Sequence, residues 1–195
     1  MKRKFWLAGV CVAAIALWVV FSDSRMSWRE EVQLQSGEVI VIKRTAKFSE
    51  NWIAGGGGGS FNLGMTIDFP NLATSDIPTT WHSLYDPLIV DLDPITKEWI
   101  IIATFIHCDG WYNLGRPSLP YTEYRFRGGK WEQGLLNPHW IGRNGNLLLV
   151  DPSERTTIKL SGSVVTIARK EKAIYDRPAI PQKYRKIVDK WSTGC

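Results

Sequence analysis

His107-Cys108-Asp109, followed at once by Gly110-Trp111-Tyr112 and then Gly115-Arg116-Pro117, is the part of this chain where side chains able to do chemistry lie closest together. An imidazole and a carboxylate two positions apart on an extended segment point the same way. His107 and Asp109 could therefore act as an acid–base pair, or as two metal ligands joined by His82 or His139. Zinc sites show closer, paired ligand spacing, and the chain has no G-x-S-x-G, H-E-x-x-H, C-x-x-C or phosphate-loop pattern. A histidine at a strand end is more often a hydrogen-bonding structural residue, so no catalytic residue, no metal ligand and no cofactor is assigned from sequence.

Trp111 and Tyr112 offer rings beside a Gly-Arg-Pro loop, and Arg116 offers a guanidinium within it. Loops carry function disproportionately, so Trp111, Tyr112 and Arg116 form the predicted binding surface. Trp111 is expected to be buried and structural, with Arg116 exposed and in contact with a partner. Stacked rings could alternatively hold a glycan. The same residues have a structural reading, because a chain leaving a central strand for a wet hairpin needs Gly and Pro at the corner.

The elements around this corner read as β structure. Val32–Gln35 and Glu38–Ile42 flank Ser36-Gly37, and Ile89–Leu92 and Trp99–Phe105 flank Asp93-Pro94. Tyr121–Arg127 and Lys130–Glu132 flank Gly128-Gly129, and Thr157–Leu160 and Val164–Ile167 flank Ser161-Gly162. Glycine at such turns supplies the positive φ of tight hairpins. Trp99–Ile106 is apolar on both faces, which requires cover on both sides. In Tyr121–Arg127, Tyr124 and Phe126 share one face while Glu123, Arg125 and Arg127 share a wet one, where cross-strand ion pairing is the plainest role for the charges.

These signals predict a mainly β, antiparallel sandwich or barrel-like domain. Tyr184, Ile187, Val188 and Trp191 fall on one helical stripe after Pro181, predicting a short C-terminal helix laid over it. The run Gly55–Gly59 reads as a flexible loop. Most of the eight tryptophans beyond residue 21 are expected to fill the core.

The start of the chain differs. Phe5–Phe21 carries no charge and no proline, and at 1.5 Å per residue it spans about 25 Å as a helix. It exceeds the usual apolar core of a cleaved signal, and is read as one transmembrane helix, a signal anchor. The Lys2-Arg3-Lys4 cluster before it predicts a cytoplasmic N-terminus. The resulting division is 1–4 cytoplasmic tail, 5–21 transmembrane helix, 22–30 tether and 31–195 exported domain. Without Lys2, Arg3 and Lys4 the chain has 21 basic residues against 19 acidic ones, too even a balance for nucleic-acid binding. Ten Lys or Arg against three acids between Arg155 and Lys190 read as a solvated face, or as a contact with anionic headgroups or an acidic partner.

Cys11 falls in the apolar segment, leaving Cys108 and Cys195 as the two thiols able to meet outside. An oxidising compartment permits a bridge between them, although spacing alone does not establish the pairing.

The stretch "TFIHCDGWYNLGRPSLPYTEYRFRGGKW" together with "PQKYRKIVDKW" resembles a group of uncharacterised bacterial proteins with one N-terminal apolar segment and an exported domain. The resemblance implies a bacterial, exported setting at the cytoplasmic (inner) membrane, with the domain in the periplasm, and carries no activity or site residue across. The combined expectation is a membrane-anchored envelope domain that binds or scaffolds a protein or glycan partner. An envelope hydrolase or transferase using His107 and Asp109 is the alternative.

Overall fold

The computed structural model describes residues 24–51, 59–69, 78–105, 108–149, 164–175, 181–192 and 195. Among these residues, eight strands form two four-stranded antiparallel sheets. The first sheet contains β1 (Ser24–Gln33), β2 (Val39–Asn51), β3 (Gly59–Asp68) and β4 (Thr80–Ser83) in chain order. The second contains β5 (Asp86–Leu92), β6 (Trp99–Thr104), β7 (Tyr121–Arg127) and β8 (Lys130–Leu135), also in chain order.

Alternation decides which face of each strand is buried. On β1 and β2 the even-numbered residues Met26, Trp28, Val32, Ile42, Ala46 and Phe48 turn inward. They pack in one core with Val90, Trp99, Ile101, Ala103 and Tyr124 from the second sheet. Residues shared across two facing sheets in this way make a sandwich. Ile100 and Ile102 point to the opposite face of β6, where they meet Ile89, Tyr121, Trp140 and Ile187 in a second apolar cluster. Irregular chain from 136–149 and 181–192 thus covers the outer face of the second sheet, which accounts for the apolar character of both faces of β6.

Three of the expected hairpins are present as β1–β2, β5–β6 and β7–β8. Gly128 and Gly129 both have positive φ, as a two-residue hairpin turn of this hand requires. In the β5–β6 turn, Asp93 Oδ1 accepts from the N–H groups of Ile95 (2.9 Å) and Thr96 (3.0 Å). In the fourth expected hairpin, 157–163 lie outside the described residues. Val165 makes only a bridge to Glu30, and Ile167 opens helix α2 (Ile167–Tyr175) rather than extending a strand.

Three further expectations are corrected. Ser24–Glu30, read as tether, belongs to β1: its many polar residues conceal an alternation in which Met26 and Trp28 are 4% and 5% exposed. The wet face of β7 is closed at one end, where Glu123 is only 3% exposed. The C-terminal stripe does not form the expected helix, because its backbone hydrogen bonds go elsewhere. Only Gln182–Tyr184 forms a 3-10 turn, while Gly142 donates to Ile187 O (2.8 Å) and Ile187 donates to Arg143 O (2.9 Å). Tyr121 Oη donates towards the carbonyls of Lys183 (3.0 Å) and Lys186 (3.1 Å) and accepts from Val188 N–H (3.2 Å). The apolar side chains of this stripe still dock on the second sheet, Ile187 being 1% exposed.

Gly59 opens β3, whereas 55–58 lie outside the described residues. The apolar segment Phe5–Phe21 also lies outside them. No helix among the described residues is long and apolar enough to cross a membrane.

Candidate functional site

The predicted surface lies at one end of the second sheet, where β6 gives way to helix α1 (Cys108–Asn113). Gly110 sits where a Cβ would come within 2.4 Å of Phe105 Cβ, so only glycine lets α1 lie this close to the end of β6. The helix closes by two crossed hydrogen bonds, from Arg116 N–H to Trp111 O (2.9 Å) and from Gly115 N–H to Tyr112 O (3.0 Å). This is the Schellman arrangement, in which Gly115 takes the expected positive φ. Arg116 also has a positive φ, of 60°, which an L side chain adopts at a cost.

Cys108 is bonded to Cys195, so the last residue of the chain is fastened to the first turn of α1. The disulfide indicates an oxidising, extracytoplasmic compartment. Tyr112 Oη donates to Cys195 O (3.3 Å), a second tie between the helix and the chain end. Trp191 reaches the same place, with its ring 5.4 Å from Phe105 and 6.3 Å from Trp111. Lys183 Nζ lies over Phe105, Tyr184 and Trp191 at 5.4, 4.7 and 5.3 Å, and burial lowers its pKa.

Trp111, Tyr112 and Arg116 are therefore brought together. The Arg116 guanidinium lies 5.3 Å from the Tyr112 ring and 5.8 Å from that of Trp111. Tyr112 and Arg116 are exposed, while Trp111 is half-buried, not fully buried as expected, and its Nε1–H donates to Pro117 O (3.1 Å). The Trp111 and Tyr112 planes are inclined at 59°, so they do not make a flat platform. A guanidinium stacked on a ring, with its edge in solvent, is suited to a carboxylate or other planar acceptor.

The other residues weighed for chemistry are dispersed. His107 lies outside the described residues, and Asp109 is exposed on α1. His82 stands on β4 with Nδ1 3.2 Å from Thr66 Oγ1, whereas the His139 ring lies 4.2 Å from that of Trp140, tilted at 44°, above the second sheet. No group of three or more His, Cys, Asp or Glu among the described residues could hold a metal ion. On the outer face of β7, Arg125 pairs with Asp93 (2.8 Å), Glu98 (3.0 Å) and Glu123 (2.5 Å). Arg127 pairs with Glu98 (2.5 Å). The Arg127 hydrogen bond does most to hold the Glu98 carboxyl down at about 2, against the opposing effect of its partial burial. These charges serve one another, as cross-strand pairing predicts.

Two features escape the sequence. Glu30 and Arg44 occupy inward positions of β1 and β2 and are 0% and 1% exposed. Arg44 Nη1 donates to Glu30 Oε1 (2.7 Å) and Leu148 O (2.7 Å), and Leu148 N–H donates to Glu30 Oε2 (2.9 Å). Lys170 of α2 completes the group at 3.4 Å from Glu30 Oε2 and donates to the carbonyls of Glu31 and Asn146. Burial pushes the Lys170 ammonium below its ordinary value, with Glu30 opposing the shift.

Beside this group opens a cleft of about 490 Å³, between the end of β1, the segment 143–147 and α2. Its wall holds Arg143 against Asp91, a carboxylate that also accepts from the N–H groups of Gln35 (3.0 and 3.1 Å) and Leu92 (2.8 Å). Burial nevertheless raises the Asp91 pKa. Because β5 and β6 are antiparallel and Asp86 pairs with Thr104, Asp91 marks the end of the second sheet opposite α1.

No protein-family model matches this chain, and no curated protein or solved structure shows significant similarity to it.

Proposed function

We propose that this chain is a bacterial envelope domain, anchored in the cytoplasmic membrane by Phe5–Phe21, that binds a protein partner through the Tyr112–Arg116 face. The observation that carries this reading is the placement of Arg116. Its guanidinium is exposed, stacked over Tyr112, and set in the turn that closes a helix fastened to the chain end by a disulfide. Such bracing fixes a contact group before its partner arrives, which reduces the ordering cost of binding. The partner group it suits is a carboxylate. The inclined rings favour a protein over a glycan, since stacking a sugar uses a ring face that Arg116 here covers. The disulfide supports the extracytoplasmic setting, while the anchor and the bacterial setting rest on the apolar segment and on the resemblance.

The test is co-purification from envelope membranes with the intact, detergent-extracted chain. Arg116→Ala should lose the co-purifying protein while melting within about 1 °C of the parent, as a surface change should. An Arg116→Ala chain that retains every co-purifying protein would remove this face from the proposal.

A further inference from the structure

The cleft beside β1 is a site of a different chemical character from the Tyr112–Arg116 face. We propose that it binds an uncharged, extended peptide segment of a partner, read by side-chain amides.

Gln33 ends β1 and Gln35 opens the turn after it; both are exposed, on either side of the buried Leu34. Leu34 between them still donates to Glu38 O (2.8 Å) as in a strand ladder, which sets the two glutamines about one two-residue strand repeat apart, ~6.6 Å, the repeat of a bound extended peptide. Asn144 contributes a third carboxamide from the facing segment. None of these three side chains has a hydrogen-bond partner among the described residues. A primary amide both donates and accepts, so it can pair with the C=O and N–H of a peptide unit.

The backbone edge of β1 cannot take the peptide directly. Its outward carbonyls at Glu31 and Gln33 already accept from Lys170 Nζ and from Asn146 Nδ2 (3.0 Å). Recognition is left to side chains. Leu34, Leu147 and Ile167 give the lining an apolar part able to receive one small side chain.

Electrostatics select against an anionic ligand. Arg143 is paired with Asp91, Lys170 with Glu30, and Glu171 adds a negative charge to the lining. No aromatic ring lines the cleft among the described residues, so the usual sugar platform is missing. The volume lies in the range of a ligand site, enough for a few residues of extended chain.

The full-length chain in detergent micelles should be titrated with a panel of short linear peptides, acetylated and amidated at their ends and carrying varied uncharged side chains. Fluorescence polarisation reports binding. Some members should bind, and Gln35→Ala with Asn144→Ala should weaken them by roughly tenfold, the effect expected at a contact hot spot. Both residues are exposed, so the double variant should keep the parent melting temperature. Arg116→Ala should bind the peptides normally, which separates this site from the first. Affinity should change less than about threefold between low and high salt, because the capped peptides carry no charge. Three results would overturn the proposal: no peptide in the panel binding, binding unaffected by the double variant, or envelope oligosaccharides binding at these residues in place of peptides.

Discussion

The guanidinium of Arg44 meets the carboxylate of Glu30 inside the sandwich, 2.7 Å apart, with side chains 1% and 0% exposed. Both occupy positions that alternation assigns to apolar residues. Trp28 lies beneath the pair, with its ring 4.8 Å from the guanidinium and its Nε1–H donating to Glu30 Oε1 (3.3 Å). Leu148 closes the pair through its own N–H and C=O, and Lys170 brings in α2. Ions placed here hold three segments distant in sequence in one register: the β1–β2 hairpin, the segment around Leu148, and α2.

Breaking this group on one side should be severe. Glu30→Gln leaves two buried cations without their counter-charge, and removal of one partner from a buried pair costs about 3–5 kcal/mol. Replacing Arg44 and Glu30 together with Met and Leu should cost less than Glu30→Gln alone, since it strands one buried cation, Lys170, in place of two. Urea unfolding of the three chains measures this. A Glu30→Gln chain as stable as the parent would show that the pair is not what fixes α2 on the sheet.

The other ionic group depends on pH through Glu98. Its carboxyl is held at about 2, chiefly by the hydrogen bond from Arg127, below an unfolded value near 4.5. A depressed acid stabilises the fold above its unfolded pKa, and this contribution is lost as pH falls from about 4.5 through about 2. Glu98→Gln should therefore be less stable than the parent near neutrality, with the difference shrinking across that window. Thermal melts at stepped pH check it, and a difference that stays constant to pH 2 would contradict the assignment.

The fold was more legible than the sites, for physical reasons that differ from element to element. Gly37, Asp93 and Gly128-Gly129 punctuate alternating runs, so β1–β2, β5–β6 and β7–β8 could be read locally. β3 could not: Gly64 interrupts its alternation, in an extended but positive-φ conformation beside the shift of register at Lys47/Phe48. The Tyr184–Trp191 stripe is a docking pattern without being a helix. Periodicity reports which side chains are buried, while the backbone partners here came from Arg143 and Tyr121. The cleft left no local signature at all, since Gln33, Asn144 and Lys170 come from three separate stretches. Cys108 and Cys195 were identifiable as the available pair, but their meeting depends on how the chain end folds back over Phe105.

That bridge joins residues 87 positions apart, and closing so long a loop restricts the unfolded chain. Cys195→Ser should lower stability by about 2–4 kcal/mol. Mass spectrometry of unreduced protein from the oxidising compartment should recover the peptides around Cys108 and Cys195 linked. Two free thiols in that material would contradict the bond.

The sharpest separation of corner from site concerns Trp111 and Arg116. Trp111 is half-buried, packs near Trp191 and donates to Pro117 O, so truncating it removes packing and leaves a carbonyl without its donor. Trp111→Ala should cost about 2 kcal/mol, near half the value for a fully buried aromatic. Arg116 presents the opposite case. Its side chain is exposed, and its φ of 60° is strained for any residue with a Cβ. Arg116→Gly relieves about 1 kcal/mol of that strain, which offsets the extra freedom given to the unfolded chain. This variant should melt no lower than the parent and yet lose the co-purifying partner. Melting curves and pull-downs on the two variants decide the matter together. A destabilised Arg116→Gly would mean that the side chain holds the helix end, and an undiminished pull-down would mean that the partner docks elsewhere. Loss of the partner from a chain that melts as high as its parent leaves recognition as the role of Arg116.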